Sequence, residues 1–221
     1  MEASLGMAKI TALKVQKKNP NRINVYLDGT FAFGLSRIVA AWLNIGQELS
    51  EQKITELQAQ DTYEVAYQKA VNFISYRTRT TQEVQRKLKG LEFESAVIDD
   101  VIERLKKNHF LGDAGYAQRW VENRVDLKPR SHRMMAMELR QKGIGDEDID
   151  RALEHAPEDE ELAYEALKRR IHRYLRMDFQ TYKKKAGAYL GRKGFSYGVI
   201  PSVLKQVWNE EQEDLLPEQE Q

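Results

Sequence analysis

"LKGLEFESAVIDDVIERL" (88–105) decides the fold, because its pattern returns twice further along the chain. At a shift of 51 residues stands "LRQKGIGDEDIDRALEHA" (139–156), and at a second such shift "LGRKGFSYGVIPSVLKQV" (190–207). Leu88 falls on Leu139 and Leu190, and Phe93 falls on Ile144 and Phe195. The quartet Ile98, Val101, Ile102, Leu105 falls on Ile149, Ala152, Leu153, Ala156 and on Ile200, Val203, Leu204, Val207. Each quartet is spaced i, i+3, i+4, i+7, the apolar stripe of an amphipathic helix. Columns that stay apolar in every copy imply stacked helical units, each too small to bury its own face.

Working outward from the stripes, each unit reads as three helices. Helix A is expected over 61–76, 113–126 and 158–177, helix B over 80–90, 131–142 and 181–193, and helix C over 95–107, 146–156 and 196–208. The breaks have local causes. Gly112-Asp113 ends one unit and caps the next, and Lys128-Pro129 interrupts the chain, since the residue before a proline is pushed out of the helical region. Gly143 and Gly194 stand where helices B should end. Thr80 and Glu83 have the spacing of a capping box, in which each side chain satisfies a free N–H of the first turn.

Upstream of residue 60 the period changes. "ITALKVQ", "RINVYLDG" and "TFAFGLS" within 8–36 alternate with period near 2 and are rich in β-branched and aromatic residues. Asn19-Pro20-Asn21 and Asp28-Gly29 supply the turns, so an antiparallel meander of three strands is expected. A short helix over about 36–44 should follow, and Ser50 should cap a further helix over "EQKITELQAQ". The predicted fold is therefore mainly α: a tandem array of three-helix repeats forming a curved, elongated solenoid, behind a small β meander. The expected divisions are 1–60, 61–110, 111–157, 158–208, and an acidic 209–221 that is either a tail or the start of a truncated fourth repeat.

Composition narrows the function classes. A chain of 221 residues, 41% apolar and 31% charged, is that of a globular protein. No apolar run approaches the roughly 18–20 residues that span a bilayer, and no secretory leader pattern opens the chain. Zero cysteines exclude disulfides and thiolate chemistry and point towards the cytoplasm. The net charge of +1 conceals local asymmetry: 183–193 carries five bases and no acid, 209–221 six acids and no base. His109, His132, His155 and His172 show no ligand spacing, and no phosphate loop, zinc-protease or serine-hydrolase motif occurs. Gly187, Gly191 and Gly194, inside a lysine-rich helical segment, read as close packing positions. Tyr67, Phe73, Tyr116, Trp120, Tyr174 and Phe179 read as packing aromatics. No catalytic residue, metal site or cofactor is expected.

The basic residues are the informative ones. Arg77, Arg79, Arg86, Lys87 and Lys89 flank or lie on the first helix B; Lys128, Arg130, Arg133, Arg140 and Lys142 do so on the second; Lys183, Lys184, Lys185, Arg192 and Lys193 on the third. Arg79 and Arg130 are one period apart, with Thr181 in the third place. Arginines beside a helix N-terminus add to the positive end of the dipole, which costs some helix stability and makes a site for carboxylates or phosphates. Aligned on equivalent faces of stacked repeats, these clusters would form one basic strip.

Residues 75–125 resemble the signature of the RecX family, bacterial modulators of the RecA recombinase. An R-x-R-[ST] leads into E-x-x-x-K-L, and a following segment is matched by Leu111, Asp113, Tyr116, Ala117, Trp120 and Arg124. Of these, Asp113, Tyr116, Trp120 and Arg124 are taken as structural motif positions. "ELRQKGI" (138–144) and "YLGRKGF" (189–195) look like the family's second and third repeats, and the β-rich start looks like the extension of its longer members. The resemblance implies a cytoplasmic, non-catalytic monomer that binds along the groove of the RecA–DNA filament. There it would block filament growth and suppress ATP hydrolysis, strand exchange and co-protease activity. The partner face would be Arg77, Arg79, Arg86, Lys87, Arg130, Arg133, Arg140, Lys142, Lys184, Arg192 and Lys193. A direct DNA-binding protein using the same strip, on single- or double-stranded DNA, is the alternative.

Overall fold

The computed structural model describes residues 7–215, with side chains through 212. Four strands and ten α-helices are formed among the described residues, and they fall into two compact units. The first comprises the chain to Thr78 together with Val84–Leu111; the second comprises Arg79–Glu83 and the chain from Gly112.

In the first unit β1 (Met7–Gln16), β2 (Asn19–Leu27) and β3 (Thr30–Ser36) make the expected meander, but its first turn falls at Lys17-Lys18 and Asn19-Pro20-Asn21 opens β2. Its second turn holds Asp28 at φ 48° and Gly29 at φ 86°, the paired left-handed residues that suit the twist of a two-residue hairpin. A fourth strand, β4 (Glu48–Ser50), pairs antiparallel with Met7–Lys9 and gives the order β3-β2-β1-β4. Three residues are too few to display an alternation, so the sequence suggested three strands. Between β3 and β4 the expected short helix is α1 (Arg37–Ala40). Ile10, Val25, Leu35 and Leu49 close the sheet's inner face together with Leu57 of the next helix.

That helix, α2 (Glu51–Ser75), corrects a second expectation. Ser50 caps it as predicted, its Oγ accepting from Lys53 N at 3.2 Å. It then runs unbroken through residue 60, where the sequence suggested one helix ending and another beginning. The inward stripe passes through Leu57, Asp61, Glu64 and Tyr67, so two carboxylates occupy positions where an apolar residue would have revealed the continuity. Both are buried and neutralised. Asp61 accepts from the Ser36 N–H and pairs with Arg22 at 2.8 Å, and Glu64 pairs with Arg104 at 3.2 Å. The end of α2 packs with α3 (Thr81–Lys89) and α4 (Ser95–Lys107) around Ala66, Ala70, Val84, Leu88, Val101 and Leu105. This is the first three-helix repeat.

The second unit contains α5 (Asp113–Leu127), α6 (His132–Gln141), α7 (Asp146–Leu153), α8 (Asp159–Lys168), α9 (Phe179–Arg192) and α10 (Ile200–Leu215). Its core is continuous and holds Leu139 and Leu190, both fully buried, as the repeat alignment requires. Gly187 faces Leu204 and Ile200 of α10, a packing position as expected. The edges of the third repeat differ from expectation. Its first helix stops at Lys168 and gives way to a 3-10 turn over Ile171–Arg173. α9 starts two residues early because the Asp178 carboxylate caps it, accepting from Thr181 N at 3.0 Å. α10 begins later than expected and extends past 208. Glu210 accepts from Tyr164 Oη at 2.7 Å and Glu211 pairs with Lys168 at 2.7 Å, so part of the acidic stretch is built into the helix packing. Residues 216–221 lie outside the described part.

Candidate partner-binding face

Two joints of one design organise the basic residues of the second unit. In the first, Thr80 and Glu83 form the predicted capping box: Thr80 N donates to Glu83 Oε2 at 3.1 Å and Glu83 N to Thr80 Oγ1 at 3.2 Å. Thr80 is fully buried, and its hydroxyl donates to the carbonyl of Lys142, the residue after α6, at 2.8 Å. Thr81 N donates to Asp113 Oδ1 at 2.8 Å. Fifty-one residues on, Ser131 caps α6 and its own N–H donates to the carbonyl of Lys193, the residue after α9, at 3.2 Å. His132 N donates to Asp159 Oδ1 at 2.8 Å, as Thr81 N does to Asp113. Each joint needs a glycine after the lysine. A Cβ on Gly143 would lie 2.5 Å from Gln82, and one on Gly194 would lie 2.5 Å from Ser131 Oγ; both glycines have positive φ.

The joints explain arginines before a helix start. Arg79 reaches Glu83 of its own capping box at 3.8 Å, and Arg130 pairs with Glu138 one turn and more into α6. Glu138 also takes Arg124, at 3.2 Å, while the Arg124 guanidinium lies 4.4 Å from the centre of the Trp120 ring. Of the motif residues, Asp113 accepts from the Thr81 N–H, Trp120 faces the Arg124 guanidinium, and Tyr116 is buried, with Lys142 Nζ 5.8 Å from its ring centre. Arg140 pairs at the surface with Asp146 at 2.6 Å. Arg133, Lys184 and Arg192 are exposed on the second unit; Arg77, Arg86 and Lys87 are exposed on the first.

Around the second joint the cations crowd. Lys193 is half-buried, donates from Nζ to the Pro129 carbonyl at 2.9 Å, and sits 5.6 Å from the Tyr189 ring centre. Burial pushes its ammonium down to about 8, and Arg130, Arg170, Arg124 and Arg169 push in the same direction. Arg170 lies 4.8 Å from the centre of that same Tyr189 ring, and Arg169 donates to the Asp126 carbonyl and pairs with Glu165 at 3.6 Å. Arg169 and Arg170 were not among the sequence-predicted residues. The run "KRR" (168–170) carries them, but it closes α8 instead of flanking a helix B and so stands outside the recurring clusters. No group of three or more residues able to hold a metal ion occurs among the described residues. No helix among them is long and apolar enough to cross a membrane.

An N-terminal sheet, helical triplets joined cap to terminus, and a charged surface define an α-helical repeat protein with a β-rich start. The family patterns then give it a place. Residues 8–50 match the regulatory protein RecX N-terminal domain, and 66–105, 113–153 and 158–204 match the first, second and third RecX three-helix domains. The chain belongs to the RecX family. The regulatory protein RecX of Bacillus subtilis (strain 168) is 32% identical over 212 residues, covering 94% of this chain and 80% of its own. That of Bacillus velezensis is 34% identical over 206 residues, covering 90% and 78%. A crystal structure of regulatory protein RecX superposes with a TM-score of 0.71 at 29% identity, covering 89% of this chain and 98% of that one. The crystal structure of RecX from Lactobacillus salivarius gives 0.59 at 26% identity, covering 66% and 97%.

Proposed function

We propose that this protein is a negative modulator of the RecA recombinase. It binds the RecA–DNA filament in its groove, limits filament growth, and thereby lowers ATP hydrolysis, strand exchange and co-protease activity. It acts as a cytoplasmic monomer, by occupancy, with no catalysis of its own. The observation that carries this reading is the recurrence of cations at the helix B termini in a regulatory-family chain. A filament of DNA and protein is polyanionic along its length, and a series of cations on a rigid scaffold suits it.

The test is recombinase ATPase on single-stranded DNA with substoichiometric protein. The wild type should inhibit. Reversing the exposed Arg133, Lys184 and Arg192 of the second unit to Glu should remove most of the inhibition, and reversing Lys14, Lys17 and Lys18 should remove little. Arg79 and Arg130 are unsuitable for this test, because reversal would break their ion pairs with Glu83 and Glu138. Equal loss from both sets reduces the effect to net charge; full inhibition by the first set sinks this face as the contact. The cation crowd at Lys193 favours a second reading, direct DNA binding, whose affinity would fall with salt at a log–log slope of about −0.7 to −0.9 per phosphate contact.

A further inference from the structure

We infer that Lys193, Arg170, Arg130, Arg124 and Arg169 form a phosphodiester subsite, a seat for the sugar–phosphate backbone of nucleic acid in the second unit. The inference deepens the reading of the basic face as the partner contact and rests on it for biological context, but not for its test.

Packing accounts for these charges only in part: Lys193 Nζ donates to the Pro129 carbonyl, Arg169 to that of Asp126, and Arg124 and Arg130 share Glu138. The joint itself uses the backbone carbonyl of Lys193, which any residue supplies; at the first joint the Lys142 carbonyl accepts instead from the Thr80 hydroxyl, with Lys142 beside Tyr116. At the second joint the groups facing Lys193 are cationic from several sides. They are Arg124 from α5, Arg130 from the segment before α6, and Arg169 and Arg170 from the segment after α8. Tyr189 lies beside it on its own helix. The acids that the structure pairs with this group are Glu138, shared by Arg124 and Arg130, and Glu165, on Arg169. Arg170 has no acidic partner among the described residues, and Arg130 Nε is buried without a hydrogen-bond partner. Gathering like charges in a half-buried place costs free energy, which a bound anion recovers.

The geometry suits an oxyanion with several acceptor oxygens. Arg170 lies over Tyr189, and a guanidinium held by its face keeps N–H donors at its edge; Arg124, over Trp120, already gives its Nε and Nη2 to Glu138. Such an edge fits two oxygens of a phosphate, and the neighbouring Lys193 ammonium adds a point charge. A nucleic-acid backbone brings such oxygens without a sequence requirement, as a modulator of a DNA-coating filament needs.

The experiment is an anisotropy titration of a short labelled single-stranded oligonucleotide with the full chain, recombinase absent. The wild type should bind at low salt. Arg170→Gln and Lys193→Gln together should weaken binding about tenfold or more and flatten the salt slope by about one to two contacts. Lys106→Gln with Lys107→Gln, on the first unit, should change it less than about twofold. Calorimetry near pH 8 in two buffers of different ionisation heat should show proton uptake on binding, as phosphate restores the Lys193 charge. Lys193→Gln alone should abolish that uptake, and it serves as the second variant should the double variant melt early. Unchanged affinity in a folded double variant, or no proton uptake, overturns the subsite. Inhibition of the recombinase ATPase by a wild type that does not bind the oligonucleotide also overturns it and leaves the filament reading intact, with the cations facing protein. Oligonucleotide binding that depends on Lys193 and Arg170, without ATPase inhibition, keeps the subsite and ends the filament reading.

Discussion

The turn after α6 and the turn after α9 are built from the same parts. A lysine carbonyl accepts a bond from a cap residue one joint earlier, a positive-φ glycine follows, and an apolar residue then dips into the core: Lys142, Gly143, Ile144 against Lys193, Gly194, Phe195. The side-chain environments diverge. Arg79 at the first joint has Glu83 within its own capping box, whereas Arg130 at the second shares Glu138 with Arg124, and Lys193, Arg169 and Arg170 add to the positive charge. Backbone bonding is what the repeat keeps; charge is what it varies. A repeat scaffold can thus hold its geometry constant while each joint acquires its own ligand preference.

The hardest test of that equivalence is in the core. Leu139→Ala and Leu190→Ala remove fully buried side chains at matching places, so each should cost about 2–5 kcal/mol in denaturant unfolding. Exposed Gln141→Ala should stay within about 0.5 kcal/mol. A loss at only one leucine would mean the joints share bonding but not packing.

Glycine substitution should separate the joints slightly. Both Gly143→Ala and Gly194→Ala force a left-handed alanine, a cost of roughly 1–3 kcal/mol. Both would meet a neighbouring Cβ, of Gln82 at 2.6 Å and of Met134 at 2.8 Å; Gly194→Ala should lose more because it also meets Oγ of Ser131, a fully buried cap, while Gln82 is exposed. Thermal melts in the reverse order would contradict the joint geometry.

The smallest expected effect is the most specific. Lys193 titrates near 8 in the fold against an ordinary 10.5, so between these values the unfolded chain holds more protons and stability rises with pH. Below pH 8 the penalty is fully present. Solvent reaches the group, so the gain is about 1 kcal/mol or less. Lys193→Met should flatten that segment of the stability curve, and Lys142→Met should leave it in place. Identical curves for wild type and Lys193→Met would remove the electrostatic difference between the joints.

The helical triplets, their stripes, the capping box and the meander were legible because each rests on local periodicity or turn chemistry. Less legible were features that depend on distant partners. Asp61 and Glu64 read as polar breaks until Arg22 and Arg104 neutralise them, and β4 exists only because Met7–Lys9 offers an edge. Of the candidate face, sequence supplied the recurring lysines and arginines but not their pairing. It therefore gave Arg79 and Arg130 the same standing as exposed Arg133, and it passed over Arg170, which joins the group through the turn after α8.

Helix α2 carries a consequence of another kind. Its first half closes the sheet's core through Leu57, and its second half supplies Ala66, Tyr67 and Ala70 to the first helical triplet. Between them, Asp61 ties the helix to Arg22 and the Ser36 amide. A single hydrogen-bonded ladder thus serves two cores. Loosening either one frays the shaft of the other, so the β-rich segment and the first triplet share one cooperative opening, like two gears keyed to a common axle.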